Sequence, residues 1–285
     1  MWRWLVLFIF GLWPSLGLAS ALVYPQPEAE FDRRTHYPLA LLQLALAASG
    51  DLPKLQPSAT PMQQGRALKQ LALGRELDLV WSMTTAERER DLLAVRIPID
   101  KGLIGWRLLL VRQAELPRFA GIDANRLRLL LAGQGHDWPD LAILEHNGFR
   151  LMASSSYGSL FELLRQQRIH YFPRGLSDIS VEQARYAGQG LAIAPDLALH
   201  YPAALYYFVN RNNVQLAERL RQGLEVILAD GRFEALFQAS YGPLLQQLQL
   251  ERRRVIELDN PLLPAQTPLA RQQLWYRPQA AAVVQ

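Results

Sequence analysis

Arg88 is the residue whose chemistry is easiest to interpret, because it follows the end of an apolar segment. The stretch LDLVWSMTTAER (77–88) resembles a buried strand as far as Trp81 and then presents Ser82, Thr85 and Arg88. In open α/β sheets, ligands bind at the carboxyl ends of strands. A planar guanidinium can bind a carboxylate through two parallel hydrogen bonds, which lysine cannot do. The stretch therefore predicts a carboxylate site; the alternative is that Arg88 is a surface residue in the first turn of a helix.

A second arginine occupies a similar place further along the chain. The stretch SYGSLFELLRQQ (156–167) has helical spacing with Ser156 as its N-cap, and a strand-like run at 169–172 leads to Arg174. Two helix-strand units, each followed by a polar loop with an arginine, predict two α/β layers that face one cleft. The alternative is a loop arginine that pairs with Asp178 or stacks on an aromatic ring.

The segment GQGHDWPD (133–140) follows a run, LRLLLAGQG (127–135), that we interpret as a strand, and it opens a predicted helix with Asp137 as N-cap. Free amide groups at such a helix end can hold an anion, although a plain tight turn is an equal alternative. We include Gln134 from this segment among the ligand-binding candidates.

Several aromatic residues could line a mostly apolar cleft, although core packing is the alternative for each of them. They are Trp81, Trp138, Tyr157 and Phe172. The predicted ligand-binding residues are thus Trp81, Ser82, Thr85, Arg88, Gln134, Ser156, Tyr157, Phe172 and Arg174.

Patterns typical of catalysis are mostly missing. The histidines show no metal-ligand spacing, and there is no G-x-S-x-G elbow or Walker loop. We therefore expect no metal, no organic cofactor and no catalysis. The alternative is an enzyme in which Glu28, Glu30 or Glu162 acts as a general acid from inside the cleft.

The first residues predict where the protein works. The segment 1–21 combines one positive charge, an apolar core from Trp4 to Leu12 and small residues at its end. This pattern is typical of a secretory signal peptide, so the mature chain is expected to begin near Leu22. The alternative is an uncleaved membrane anchor, but the apolar run is short for a span and Pro14 interrupts it.

Composition narrows the class of protein further. The chain has 285 residues, of which 50% are hydrophobic and 20% charged, as in ordinary globular proteins. The absence of cysteine excludes disulfides and a lipid anchor on cysteine. A formal net charge of +4 on an exported chain argues against nucleic acid as a partner. We expect a monomer in a bacterial periplasm.

The pattern of elements favours two lobes joined by a short hinge. The strand-like runs WRLLLVR (106–112) and ALYYFVNR (204–211) bracket a segment with its own strand, and we interpret them as two crossings between lobes. No glycine-serine linker separates the lobes. The predicted boundaries are 22–108 and 207–250 for lobe 1, 109–206 for lobe 2, and 251–285 for a C-terminal extension.

The extension contains a proline-rich stretch, NPLLPAQTPLARQQLWYRP (260–278). We expect a strap packed along lobe 1 through apolar side chains. These are Leu262, Leu274, Trp275 and Tyr276. The alternative is a contact with a partner protein, as in a sensory or accessory module.

Taken together, these motifs resemble the type II periplasmic-binding fold, and specifically the extracellular solute-binding proteins of family 3. The resemblance rests on LDLVWSMTTAER, on LLRQQRIHYF, which is similar to an L-x-x-G-R-x-D-A pattern, and on ADGRFEALFQASYG (229–242). It covers roughly residues 22–242 and implies two mixed sheets flanked by helices, with a hinged cleft. In this family, the arginine of the Thr-x-x-Arg loop binds the ligand's α-carboxylate, which is the place of Arg88.

One departure from the family bears on the ligand. Where the second lobe offers an aspartate to the ligand's ammonium group, this chain has Arg174. The resemblance thus implies a divergent solute-binding protein for a small polar, carboxylate-bearing molecule, either amino-acid-like or an organic anion. An inner-membrane transporter or a sensor would receive it. A dehydratase or lyase on the same fold is the enzymatic alternative.

Overall fold

The structure is a computed structural model that describes residues 21–26, 35–50 and 52–278. The predicted signal peptide lies outside these residues except for Ala21, and so do Glu28 and Glu30.

The described residues form strands and helices that alternate along most of the chain. The strands are β1 (Leu22–Gln26), β2 (Leu55–Pro61), β3 (Leu79–Met83), β4 (Leu92–Val95), β5 (Trp106–Arg112), β6 (Leu131–Gly135), β7 (Arg150–Ser154), β8 (Tyr171–Gly175), β9 (Leu191–Ile193), β10 (Leu197–His200), β11 (Leu205–Asn210) and β12 (Arg254–Glu257). The helices are α1 (His36–Ala48), α2 (Gln64–Ala72), α3 (Ala86–Asp91), α4 (Leu116–Phe119), α5 (Ala124–Leu129), α6 (Pro139–His146), α7 (Tyr157–Arg165), α8 (Leu176–Tyr186), α9 (Val214–Ala229) and α10 (Arg232–Leu248).

Lobe 1 is built on a three-stranded sheet in the order β3-β11-β4, with β11 antiparallel to both neighbours. A parallel pair, β1 and β2, extends the lobe, and Asp78 joins it to β3 because its Oδ2 accepts from the N–H of Val23 at 2.7 Å. Helices α1 and α9 pack together so closely that a Cβ on Gly223 would lie 1.9 Å from the carbonyl oxygen of Ala45. Glycine is therefore the residue that permits this helix contact.

Lobe 2 contains a seven-stranded sheet in the order β12-β10-β5-β8-β6-β7, with β9 paired to β5 as well. The strands β6, β7 and β8 run parallel, whereas β5 is antiparallel to β8, β9 and β10. Residues 106–111 of β5 are fully buried, as expected for the central strand of a sheet covered on both faces.

The two crossings lie just outside the runs that the sequence predicted for them. The run 106–112 is the central strand of lobe 2, and β11 within 204–211 is the central strand of lobe 1. The chain passes between the lobes at 96–105 and 201–204 instead. The sequence predicted that β5 and β11 cross between the lobes, whereas each is the central strand of its own sheet. The predicted lobe boundaries at 108/109 and 206/207 therefore fall inside these two strands.

The run 127–135 is only partly a strand. Residues up to Leu129 belong to α5, whose N-cap Asp123 accepts from the N–H of Arg126 at 2.8 Å, and β6 begins at Leu131. Leucine favours a helix as readily as it fills a strand, so the side-chain cap decides between them.

A continuous core joins the lobes behind the cleft. Side chains from α1 and α9 of lobe 1 belong to the same buried cluster as those of β5, α7 and α8 of lobe 2. Helix α10 contributes Phe233, Phe237 and Leu245 to this cluster and contacts α8 directly. The lobes are therefore packed against each other over more than the two crossings.

The crossings themselves pack at backbone distance, which gives a first prediction. A Cβ on Gly105 would lie 2.1 Å from the carbonyl oxygen of Tyr201. We expect Gly105→Ala to lower the free energy of unfolding by about 1–3 kcal/mol, because a rigid backbone cannot yield to an added methyl group. Urea denaturation followed by far-UV circular dichroism measures this. The control is Gly158→Ala in α7, where nothing lies within 4 Å and the change should be neutral or slightly stabilising; equal losses in both variants would contradict the prediction.

The C-terminal extension contacts both lobes, which corrects the prediction that it packs on lobe 1 alone. Strand β12 joins the lobe 2 sheet in parallel with β10, and the Asp259 backbone exchanges two hydrogen bonds with the Asn147 side chain of lobe 2. Further along, the carbonyl of Leu262 accepts from Ala86 of lobe 1, and Leu274 is fully buried in the continuous core. The N–H of Tyr276 finally donates to the carbonyl of Lys101 in the first crossing, at 2.6 Å.

Candidate functional site

A cavity of about 200 Å³ lies between the two lobes. Lobe 1 contributes Gln64 and Trp81 to its lining, lobe 2 contributes Arg107 and Arg174, and the first crossing contributes Asp100. Because residues of both lobes and of the first crossing line it, this cavity is the candidate site.

Arg107 is held by a buried ion pair at the beginning of β5. Its Nε donates to Oδ1 of Asp140 at 2.6 Å, and its Nη1 donates to the carbonyls of Ile104 and Trp106. The hydroxyl of Tyr201 also donates to Asp140. Burial alone would raise the pKa of Asp140, but the charge and hydrogen bonds of Arg107 outweigh it and hold this pKa below its usual value.

Arg174 is fixed in a second buried cluster, on the neighbouring strand β8. In the register of these two strands, Arg107 pairs with Gly175 and Leu108 pairs with Arg174. Its Nε and Nη2 donate to the Glu182 carboxylate at 2.6–2.9 Å, and Nη2 also reaches Oδ2 of Asp178 at 3.0 Å. Burial would lower the pKa of Arg174, but the two carboxylates raise it above its ordinary value.

Three aromatic rings surround the Arg174 guanidinium. Its central carbon lies 5.0 Å from the ring centroid of Trp138, 5.5 Å from that of Tyr157 and 4.7 Å from that of Phe172. These distances are typical of cation–π contacts. Both alternatives considered for this arginine, pairing with Asp178 and stacking on aromatic rings, describe its surroundings, and it lines the cavity as well.

Both arginine side chains line the cavity, and each is held by hydrogen bonds within the protein. Besides its contacts with Asp140 and two carbonyls, Arg107 is hydrogen-bonded to the Tyr201 side chain. Among the described residues, the hydrogen bonds of Arg174 involve Nε and Nη2 but not Nη1.

Arg88 does not line the cavity but joins segments around it. Its Nη1 donates to Ser82 at 2.7 Å and to the carbonyl of Met83, and its Nη2 donates to Gln64 at 2.8 Å and to the carbonyl of Asp137. None of these acceptors is a carboxylate, so burial lowers the pKa of Arg88 to about 10.

The cleft is bridged at its mouth by contacts between the lobes. Oδ2 of Asp137 accepts from the N–H of Gly65 at 2.9 Å, and the Gln63 side chain donates to the carbonyl of Ser155 at 2.8 Å. Asp137 is therefore not the N-cap of α6, a position that Trp138 takes. Its carboxylate instead accepts from the N–H of Gly65 in the first turn of α2, where backbone N–H groups have no partner within the helix.

The other predicted residues lie around the cavity rather than in it, apart from Trp81. Thr85 caps α3 and Ser156 caps α7, each accepting a backbone N–H with its hydroxyl. Tyr157 donates to Glu182, and Phe172 is fully buried in the core. Gln134 is fully buried, and its Nε2 has no hydrogen-bond partner among the described residues.

Sequence reasoning missed Arg107 and Asp100. The signal for Arg107 was a single charged residue near the start of the apolar run WRLLLVR. A charged side chain is rarely buried in such a strand unless it has a partner. The signal for Asp100 was its position before Lys101-Gly102 at the end of another apolar run.

Asp100 is 4% exposed and lies on the first crossing. Its Oδ1 accepts from the N–H of Gly102 at 3.0 Å and its Oδ2 from that of Ile104 at 2.7 Å. Burial raises the pKa of Asp100 to about 7, although these two N–H groups and the charge of Arg107 limit the rise.

Two further features of the described residues concern metals and membranes. Between residues 21 and 278, leaving out 27–34 and 51, no group of three or more His, Asp or Glu side chains is arranged to hold a metal ion. None of the helices in this part of the chain has the length and apolar character needed to cross a lipid bilayer.

Comparison with solved structures identifies the fold. An ancestral arginine-binding protein bound to arginine aligns with a TM-score of 0.59 at 15% identity, over 78% of this chain and 99% of the other. The periplasmic VFT2 domain of BvgS from Bordetella pertussis gives 0.60 at 17% identity, over 78% and 92%. The chain has the type II periplasmic-binding-protein fold.

The periplasmic-binding-protein fold also links this chain to the GluR0 ligand-binding core from Nostoc punctiforme in complex with glutamate, with a TM-score of 0.56 at 12% identity over 79% of this chain and all of the other. The fold class predicted from the sequence is confirmed. No protein-family model matches the chain, and comparison with curated proteins finds no relative.

Proposed function

We propose that this chain is a solute-binding protein that holds a small polar, carboxylate-bearing molecule between its lobes. The observation that carries the proposal is the cavity between the lobes, which two buried arginines, Arg107 and Arg174, line. Both arginines line this cavity, at the same end of two neighbouring strands. A guanidinium group can hold a ligand carboxylate there in a charge-assisted contact.

The rigidity of both arginines supports this proposal. Each guanidinium is fixed by carboxylates behind it, Asp140 for Arg107 and Glu182 for Arg174, so little side-chain freedom remains to be lost on binding. In this proposal, Arg107 takes the anchoring role that the resemblance gave to Arg88, and Trp81 forms part of the apolar wall.

The similar structures support a ligand of amino-acid type. Three of these structures contain arginine, glutamine or glutamate as the bound molecule. One of them is a histidine kinase sensor domain with similarity to periplasmic binding proteins. We accordingly propose a periplasmic protein, released by cleavage near Leu22, that delivers its ligand to an inner-membrane transporter or to a sensor.

Binding without turnover remains our proposal for the chemistry of the site. Glu162, one of the general acids considered above, lies on α7 with half of its side chain exposed and pairs with Arg165 at 2.8 Å. It does not line the cavity. Mass spectrometry of a bound ligand after long incubation should recover it unchanged, and accumulation of product would favour the enzymatic alternative.

Arg174→Lys tests the proposed carboxylate contact. We expect it to weaken binding at least tenfold, because the charge stays while the fork that reaches both Glu182 and the ligand is lost. The matched control is Arg126→Lys on α5, an exposed arginine far from the cavity, which should bind as the unaltered protein does.

The measurement is a thermal-shift screen of L-amino acids and dicarboxylates, followed by calorimetric titration of the best ligand. A ligand at 100 times its dissociation constant adds about 2.7 kcal/mol to stability, so binding is readily detected. Equal affinities for both arginine variants would argue against a role for Arg174.

A further inference from the structure

Helix α2 of lobe 1 begins at a residue that does not cap it. Gln63 occupies the N-cap position with the extended backbone of a cap residue, at φ −64° and ψ 153°, but its side chain accepts no N–H of the helix. Serine, threonine, aspartate and asparagine are the usual caps, because their short side chains bring an oxygen to the N–H groups of the first turn. The beginning of α2 is therefore open to an acceptor from another part of the chain.

Lobe 2 supplies such an acceptor. Oδ2 of Asp137, in the loop between β6 and α6, accepts from the N–H of Gly65 at 2.9 Å. Gly65 is the second residue of α2, and its N–H is one of the two that an N-cap side chain binds. The negative charge of Asp137 also lies at the positive end of the helix dipole. Asp137 thus caps a helix that belongs to the other lobe.

Two further contacts join the lobes beside this cap. The side-chain amide of Gln63 donates to the carbonyl of Ser155 in lobe 2 at 2.8 Å. Nη2 of Arg88 in lobe 1 lies 3.5 Å from the carbonyl oxygen of Asp137. Burial lowers the pKa of Arg88 to about 10, and the charge of Asp137 acts in the opposite direction, so the two side chains attract each other. All of these contacts join protein groups to one another, and none of them requires a ligand.

We propose that Asp137 and Gln63 form a latch that keeps the cleft closed before any ligand binds. The cap of α2 forms when the lobes meet and is lost when they part, so opening the cleft costs a helix cap as well as the hydrogen bond to Ser155. Closed molecules then predominate, and a ligand enters through the smaller open population. This inference goes beyond the proposed function, since it concerns the protein without ligand.

The latch also couples the position of lobe 2 to the wall of the cavity. Gln64 and Ala67 of α2 line the cavity, and Oε1 of Gln64 accepts from Nη2 of Arg88 at 2.8 Å. The first turn of α2 is thus fixed by Asp137 on one side and by Arg88 on the other. Closure and the shape of this wall are therefore set together.

The separation of the lobes can be measured on the full chain without ligand. The chain contains no cysteine, so spin labels would attach only at two introduced ones, Lys69→Cys on α2 and Glu145→Cys on α6. Both positions are exposed. The latch joins the beginnings of these two helices, so opening should lengthen the distance between the labels. Double electron–electron resonance should show a predominant short distance and a minor long one.

Asp137→Ala should raise the ratio of open to closed molecules about fivefold, which is the effect of a typical helix cap on an equilibrium. Asp137→Asn keeps a side-chain acceptor and should restore most of the closure. The matched control is Asp123→Ala, which removes the aspartate cap of α5. That cap accepts from the N–H of Arg126 at 2.8 Å within lobe 2, so its loss should leave the label distances unchanged.

Gln63→Ser separates a latch from an ordinary stabilising contact. Serine at this N-cap position can accept from the N–H groups of α2 itself and so competes with Asp137, while the hydrogen bond to Ser155 is lost. We expect this variant to open the cleft although its urea midpoint is no lower than that of the unaltered protein. Asp137→Ala should open the cleft and lower the midpoint.

Two results would count against the inference. One is a distribution of label distances that stays the same in the unaltered protein, Asp137→Ala and Gln63→Ser. The other is a predominant long distance in the unaltered protein. Both would leave the proposed solute-binding function intact, because these measurements contain no ligand and the thermal-shift screen tests that function separately.

Discussion

Replacing Arg107 with leucine is expected to lower the free energy of unfolding by about 3–5 kcal/mol, because it leaves an uncompensated charge inside the protein. Asp140 is 6% exposed, and among the described residues the Tyr201 hydroxyl is the other side-chain group that donates to its carboxylate. The Asp140 carboxylate would then bind a proton or draw water into the core. Urea denaturation at pH 7, followed by far-UV circular dichroism, measures the loss.

Two controls show whether this loss comes from the unpaired charge. Arg165→Leu removes an exposed partner of Glu162 and should cost less than about 1 kcal/mol, as surface pairs usually do. Arg107→Leu combined with Asp140→Leu removes both charges and should recover much of the loss. A double variant as unstable as Arg107→Leu would mean that lost packing, and not the charge, explains the effect.

Deleting residues 259–285 is expected to be at least as damaging as truncating a buried leucine, which costs about 2–5 kcal/mol. The deletion removes Leu274 from the continuous core and the hydrogen bonds that tie the extension to Asn147, Ala86 and Lys101. These partners belong to lobe 2, to lobe 1 and to the first crossing. We therefore expect a less stable protein with a larger radius of gyration in small-angle scattering.

A shorter deletion provides the control for this experiment. Removing only 279–285 leaves every contact of the described extension in place, so its stability and radius of gyration should match those of the full chain. If both deletions behaved alike, the extension would not hold the lobes together.

Much of the fold could be predicted from the sequence, because its signals are local. The cap of α7 by Ser156, the helix α9 and a strand near 169–172 follow from residue types within a few positions of each element. The strand itself, β8, begins at Tyr171 and continues through Arg174 to Gly175, beyond its predicted end. The runs 106–112 and 204–211 were predicted correctly as strands but wrongly as crossings between the lobes. A strand that is buried on both faces lacks the alternation of apolar and polar residues, so its sequence does not show its position in a sheet.

The site was less predictable, because its contacts join distant parts of the chain. Arg88 stands where its local pattern predicts, after a strand and beside Thr85, but Gln64 and the Asp137 carbonyl, 24 and 49 residues away, take up its guanidinium. Arg107 and Asp140 are 33 residues apart, and neither has a local pattern that indicates the other. Arg174 was found because it stands between Pro173 and Gly175, which predicted a polar loop, although the structure places all three residues in β8.

The sheet position of β12 has a consequence for self-association. Strand β10 is buried from Leu197 to Leu199 and would otherwise form an edge of the lobe 2 sheet, open to pairing with another chain. Strand β12 covers that edge with four residues that include Arg254 and Glu257. Short, charged edge strands are poor templates for further pairing, so the start of the extension protects the protein from edge-to-edge aggregation.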